Sequence, residues 1–137
     1  MIAAVMSHGR MVLELTIVAL ASACPGGEVV PEHTFASVRD DIFIPRCGVT
    51  GCHGGANAVD DLNLAEDAFA DLVNVPSAEV AGAIRVVPGD PDNSLLFQVL
   101  NGAVAPVEQM PQGTPGGLPD DDIERIRLWI KDGALDN

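Results

Sequence analysis

The string Cys47-Gly48-Val49-Thr50-Gly51-Cys52-His53 constrains this chain more than any other feature. It places two thiols and an imidazole within seven residues of a stretch, Cys47 to Asp60, that is too rich in glycine and too irregular to form a helix or strand. Any domain built here must wrap a loop around whatever those three side chains hold. The rest of the chain makes such a staple necessary. With 137 residues there is room for one domain. Only 4% of residues are aromatic, against 14 Gly and 10 Pro, so bulky core material is scarce. Small, loop-rich domains of this kind are usually held by a disulfide, a metal or a cofactor.

Charge excludes several partners. Acids outnumber Lys and Arg by 20 to 7, for a formal net charge of −13. Nucleic acids and anionic lipid surfaces require a basic face, which this composition does not supply. A partner with a basic docking face fits instead. At 47% hydrophobic residues the chain is also too apolar to remain a solvated, disordered polymer.

The N-terminus reads as an export leader, residues 1–23. Arg10 precedes the apolar run Met11 to Ala23 (MVLELTIVALASA), which is shorter than the ~20 residues that span a bilayer. Ala21-Ser22-Ala23 has the small-x-small form of a cleavage site, and Met6 offers a second start with a conventional short leader. A buried N-terminal helix is the alternative. Leu20-Ala21-Ser22-Ala23-Cys24 resembles a bacterial lipobox, which implies lipidation of Cys24, although Ala21 stands where leucine is usual. Ordinary cleavage after Ala23 would leave Cys24 a free thiol. Both routes export the chain, to the periplasm or to an outer-membrane anchor. Residues 24–33 read as a tether, and the domain proper runs over 34–137.

Within that domain the pattern is all-α with long loops. Thr34 caps a helix whose apolar positions are Phe35, Val38 and Ile42, and Pro45 is expected to stop it just before Cys47. A short helix is expected around Ala65 to Val73, and another from about Asp92 to a stop at Gly102. Ala103 to Gly117 is a Pro/Gly loop. The last helix is the clearest: Pro119 at its start, Asp120 to Asp122 at its positive end, Ile123, Ile126 and Ile130 on one face beside Trp129, then Lys131 and Gly133. No repeat, strand pattern or internal domain boundary is visible.

Two thiols can add across the two vinyl groups of one haem while an adjacent histidine reaches the iron. The usual spacing is C-x-x-C-H, and here it is C-x4-C-H, a rarer variant. Met110 is the natural companion ligand. The other methionines, Met1, Met6 and Met11, fall in the leader, and Met110-Pro111-Gln112-Gly113 lies in a Pro/Gly loop rather than on an apolar helix face. From about Thr34 to Ala134 the chain resembles a small monohaem class I cytochrome c of exported bacterial lipoproteins. That resemblance implies Cys47 and Cys52 as thioether anchors, His53 as the proximal ligand and Met110 as the distal one. It also implies that the first and last helices pack together, setting Phe35, Val38 and Ile42 against Ile126, Trp129 and Ile130. Val86 to Leu96 (VVPGDPDNSLL) resembles a turn-helix segment of such domains. The implied function is single-electron transfer to and from a redox partner protein. With both axial positions filled, iron has no open site for a substrate, so the chain is not expected to be an enzyme.

Other readings of the same residues stand beside this one. Cys47 and Cys52 can form a disulfide in a haem-free structural or binding lipoprotein. His33 can replace Met110 on iron, or join Cys47, Cys52 and His53 around zinc. A displaceable distal ligand would make a haem sensor or a peroxidase-like protein. Arg46 and Arg85 can pair with haem propionates, or each can be a solvated arginine on an acidic surface.

Overall fold

A computed structural model describes residues 32–137 of the chain. The leader, Cys24 and nearly all of the tether lie outside those residues. The elements are helical throughout: α1 (Phe35–Val38) running directly into a π-helical stretch (Arg39–Cys47), a single 3₁₀ turn (Val59–Asp61), α2 (Ala68–Leu72), α3 (Leu95–Asn101) and α4 (Asp120–Lys131). Isolated bridges such as Pro76 to Ile84 and Val73 to Val86 tie the loops together.

α1 starts where its sequence signals place it. The Thr34 hydroxyl oxygen accepts a bond from the Ser37 N–H (3.2 Å), relieving one of the helix's unpaired donors. Two more are met from the far end of the chain: Phe35 N–H donates to the Asn137 side chain (3.0 Å) and Ala36 N–H to its backbone oxygen (2.9 Å). Pro45 does not stop the helix. An α-helical turn would press the proline ring against the Asp41 carbonyl, whereas the wide turn carries the chain through Pro45 to Cys47, and Gly48 N–H closes it on Phe43 O (2.7 Å). Two consecutive residues of this stretch, Ile42 and Phe43, are buried in the core.

α4 packs against α1 and α3. Trp129 is the centre of this core. Its ring lies 5.5 Å from Phe35 and 6.3 Å from Phe43, and Phe35 meets Phe69 edge-on at 5.2 Å. Val38, Ile42, Ile126 and Ile130 are fully buried around it, each contributing about 1.5–3 kcal/mol of burial free energy. The indole N–H is satisfied by Leu135 O (3.0 Å). Arg125 laces the two helices from outside, donating to Ser37 O (3.2 Å) and to Asp41 (2.6 Å).

α2 and α3 are shorter than their apolar patterns suggest, for a local reason in each case. The Asn63 side-chain oxygen accepts from Ala65 and Glu66 N–H (3.0 and 3.1 Å), holding those residues in a turn, so α2 begins only at Ala68. Before α3, Asp90 receives bonds from the backbone and side chain of Asn93, while buried Ser94 accepts from Val87 N–H (2.8 Å) and donates to Asp90 O (2.8 Å). The helix therefore starts at Leu95. The same turn sends Gly89 N–H to Ile130 O (2.8 Å), satisfying a carbonyl in the last turn of α4.

Candidate functional site

The loop after the π-helical stretch is drawn into a tight knot. Cys52 N–H donates to Val49 O (3.0 Å) and His53 N–H to Cys47 O (3.1 Å), so the imidazole-bearing residue returns to the first cysteine. Gly54 makes this possible: a Cβ there would stand 2.0 Å from the Gly48 carbonyl oxygen, so no other residue fits without moving the backbone. Leu64 N–H then donates to His53 O (2.8 Å) and Val59 N–H to Cys52 O (2.8 Å), fastening the knot to the 59–64 segment.

That fastening orients His53. Its Nδ1 lies 3.2 Å from the Val59 carbonyl oxygen. A carbonyl only accepts, so the bond requires the proton on Nδ1, and in the neutral ring Nε2 then carries the lone pair. Metal-binding histidines are held in this way, by a backbone or carboxylate acceptor on the other ring nitrogen.

His53 lines an open cleft. Its walls are mostly aliphatic: Leu62 and Leu64 beside the histidine, Leu72 from α2, Leu95, Leu96 and Val99 from α3, and Val107. Met110 lines the same cleft. The Met110 loop is tied to α3, because Met110 N–H donates to Val99 O (2.9 Å) and the Gln109 side chain to Leu100 O (3.1 Å). Val104 and Val107 exchange backbone bonds at the base of that loop.

The two thiols sit outside the cleft lining, in the knot that carries His53. They are unbonded to each other. Cys47 is half-buried against the core, and burial pushes its thiol up to about 11. Cys52 is exposed.

The other nominated residues lie elsewhere or in other roles. His33 is bonded to Asp132 just beyond α4 (2.8 Å), so it joins neither Met110 nor the Cys47–His53 knot. Among the described residues no group of three or more His, Cys, Asp or Glu side chains is placed to hold a metal ion, and the zinc quartet is not assembled. Arg46 pairs with Asp122 of α4 (3.4 Å). Arg85 is not a solvated arginine. It is buried on the cleft wall and donates to the carbonyls of Asp60 (2.6 Å), Asp61 (3.3 Å) and Asp71 (2.8 Å). Sequence reasoning missed this role. The one available signal was that Arg85 is the sole Lys or Arg between Cys47 and Glu124. No helix among the described residues is long and apolar enough to cross a membrane.

No protein-family model matches this chain, and no curated protein or solved structure is significantly similar to it.

Proposed function

We propose that the chain is an exported c-type cytochrome that carries single electrons, with haem held covalently by Cys47 and Cys52 and ligated by His53 and Met110. The observation that carries this reading is the meeting of His53 and Met110 on one aliphatic cleft, with His53 anchored through Nδ1 so that Nε2 is left to coordinate. The residues present suit such a group: the donors are an imidazole and a thioether, the walls are apolar, and two unpaired thiols lie in the same knot as the histidine. When bound, haem supplies a one-electron ferric/ferrous couple. The chain supplies the rest. Leu62, Leu64, Leu72, Leu95 and Val99 exclude water from the cleft, Val59 O fixes the imidazole, and Val99 O holds the Met110 backbone. With His53 and Met110 both holding it, the group would have no open position for a substrate, so the role would be transfer rather than catalysis. Export through the 1–23 leader, with lipidation at Cys24, would place the protein in the periplasm or on the outer membrane. Its acidic surface suits a redox partner with a basic docking face.

The test is expression of the full chain in a host with a haem-ligation system. The reading requires a coloured protein whose haem survives denaturing electrophoresis. It further requires a sulfur-to-iron charge-transfer band in the oxidised form and resistance to carbon monoxide in the reduced form. Met110→Ala should abolish the band, admit carbon monoxide and lower the potential, because the thioether favours ferrous iron. A colourless product from a competent host overturns haem binding and leaves the haem-free lipoprotein. A wild-type protein that binds carbon monoxide readily, with a spectrum unaffected by Met110→Ala, makes it a sensor or peroxidase-like protein instead.

A further inference from the structure

Arg85 is the one Lys or Arg between Cys47 and Glu124, and its charge is turned inward. The side chain is only 8% exposed. Three of the five N–H groups of its guanidinium are committed to backbone carbonyls, those of Asp60, Asp61 and Asp71. Asp60 and Asp61 are held with positive φ (60° and 50°), a conformation that aspartate tolerates better than most residues. Asp71 lies at the end of α2, where carbonyls lack helical partners. The guanidinium therefore straps the turn after the His53 knot to the end of α2, across the wall of the cleft.

Carbonyl dipoles satisfy hydrogen bonds without neutralising a charge. No Asp or Glu side chain among the described residues forms an ion pair with Arg85, although Asp60 and Glu79 also line the cleft. A buried cation without a counter-charge is costly, and this one stands on an apolar cleft with two N–H groups uncommitted.

We propose that Arg85 positions the wall of the cleft and presents its remaining N–H groups and fixed charge to an anionic group on the cleft's occupant. On the haem reading, from which this follows, that group is a propionate carboxylate, and Arg85 rather than Arg46 meets it. Arg46 is already paired with Asp122. A fixed positive charge near the iron favours the ferrous state. One partly screened charge on the cleft wall should be worth about tenfold in the ratio of reduced to oxidised protein.

The experiment compares wild-type, Arg85→Gln and Arg85→Lys holoproteins by reduction potential, by the sulfur-to-iron band and by amide hydrogen exchange at residues 60–64 and 71–75. Arg85→Gln should keep the band and shift the equilibrium about tenfold toward the oxidised form, about 59 mV for one electron. Arg85→Lys should recover most of that shift, because lysine keeps the charge. It should still exchange faster at 60–64, because an ammonium cannot span three carbonyls. A Gln variant within twofold of wild type, or a Lys variant as displaced as the Gln variant, overturns the proposal. If Arg85→Gln fails to fold, Arg85→Lys decides: a near wild-type potential with faster exchange supports the assignment, and a tenfold displacement overturns it. Failure of the haem reading itself would appear separately, as wild-type protein without covalent haem.

Discussion

The two halves of the molecule solve the same problem differently. In the helix half, α1 with its π-helical extension and α4 bury their own side chains against each other around Trp129, and nearly every base finds a local acid: Arg39 with Asp40, Arg46 with Asp122, Arg125 with Asp41, Arg127 with Glu124. The cleft half, from the His53 knot to the Met110 loop, has short helices and long loops; Leu64, Leu72 and Leu100 join the core around Trp129, while Leu62, Leu95 and Leu96, with Leu64 and Leu72, also line an open cleft. Its single arginine is bonded to carbonyls instead of carboxylates. The cleft half also has apolar surface and a buried charge that, on the haem reading, a bound molecule would satisfy, so its order should depend on that occupant more than the order of the helix half does.

The hardest way to break this contrast is to remove the residue that, on the haem reading, ligates the iron. His53→Ala should lose most covalently held haem, as read by haem staining after denaturing electrophoresis. The accompanying rise in amide exchange should be greater over residues 59–110 than over α4. Normally folded, haem-stained His53→Ala protein would overturn the ligand assignment.

Trp129→Ala attacks the other half. Removing an indole packed on two phenylalanine rings should cost about 3–5 kcal/mol in denaturant unfolding. A loss below about 1 kcal/mol would show that Trp129 is not the centre of the core described above.

The smallest effect sharpens the picture of how α1 begins. Thr34→Ala removes one cap and should cost about 0.5–1 kcal/mol, the lower part of the usual range, because Asn137 caps the same helix end from the opposite terminus. Adding Asn137→Ala should cost more than the sum of the two single changes, since each residue covers for the other. Strict additivity would separate the two caps.

Much of the helix half was legible along the chain. Thr34 as a cap, the Phe35, Val38 and Ile42 face, and the start and finish of α4 depend on residues within a turn or two of one another. The errors there were also local: Pro45 was read by its α-helical rule, and the wide turn that accommodates it was invisible, along with the burial of Phe43. Asn63, Asp90 and Ser94 shortened two helices by offering the backbone side-chain partners that periodicity does not count. In the cleft half, His53 and Met110 were nominated from residue type and loop context, but nothing in the spacing placed them on one surface.

By itself, then, the sequence determined where α1 and α4 begin and where α4 ends, which of their faces are apolar, and that a knot of two thiols and an imidazole must interrupt the helices. These depend on backbone donors and acceptors a few residues apart and on the periodicity of nonpolar side chains. The tertiary structure alone decided which polar side chains were taken out of water and by what. Arg85 reaches carbonyls 14 to 25 positions away, and His33 reaches Asp132 across 99. An arginine or histidine reads the same in a string whether water or a distant backbone will solvate it. Only the packing of elements remote in sequence removes the water, and with it settles what the side chain can do.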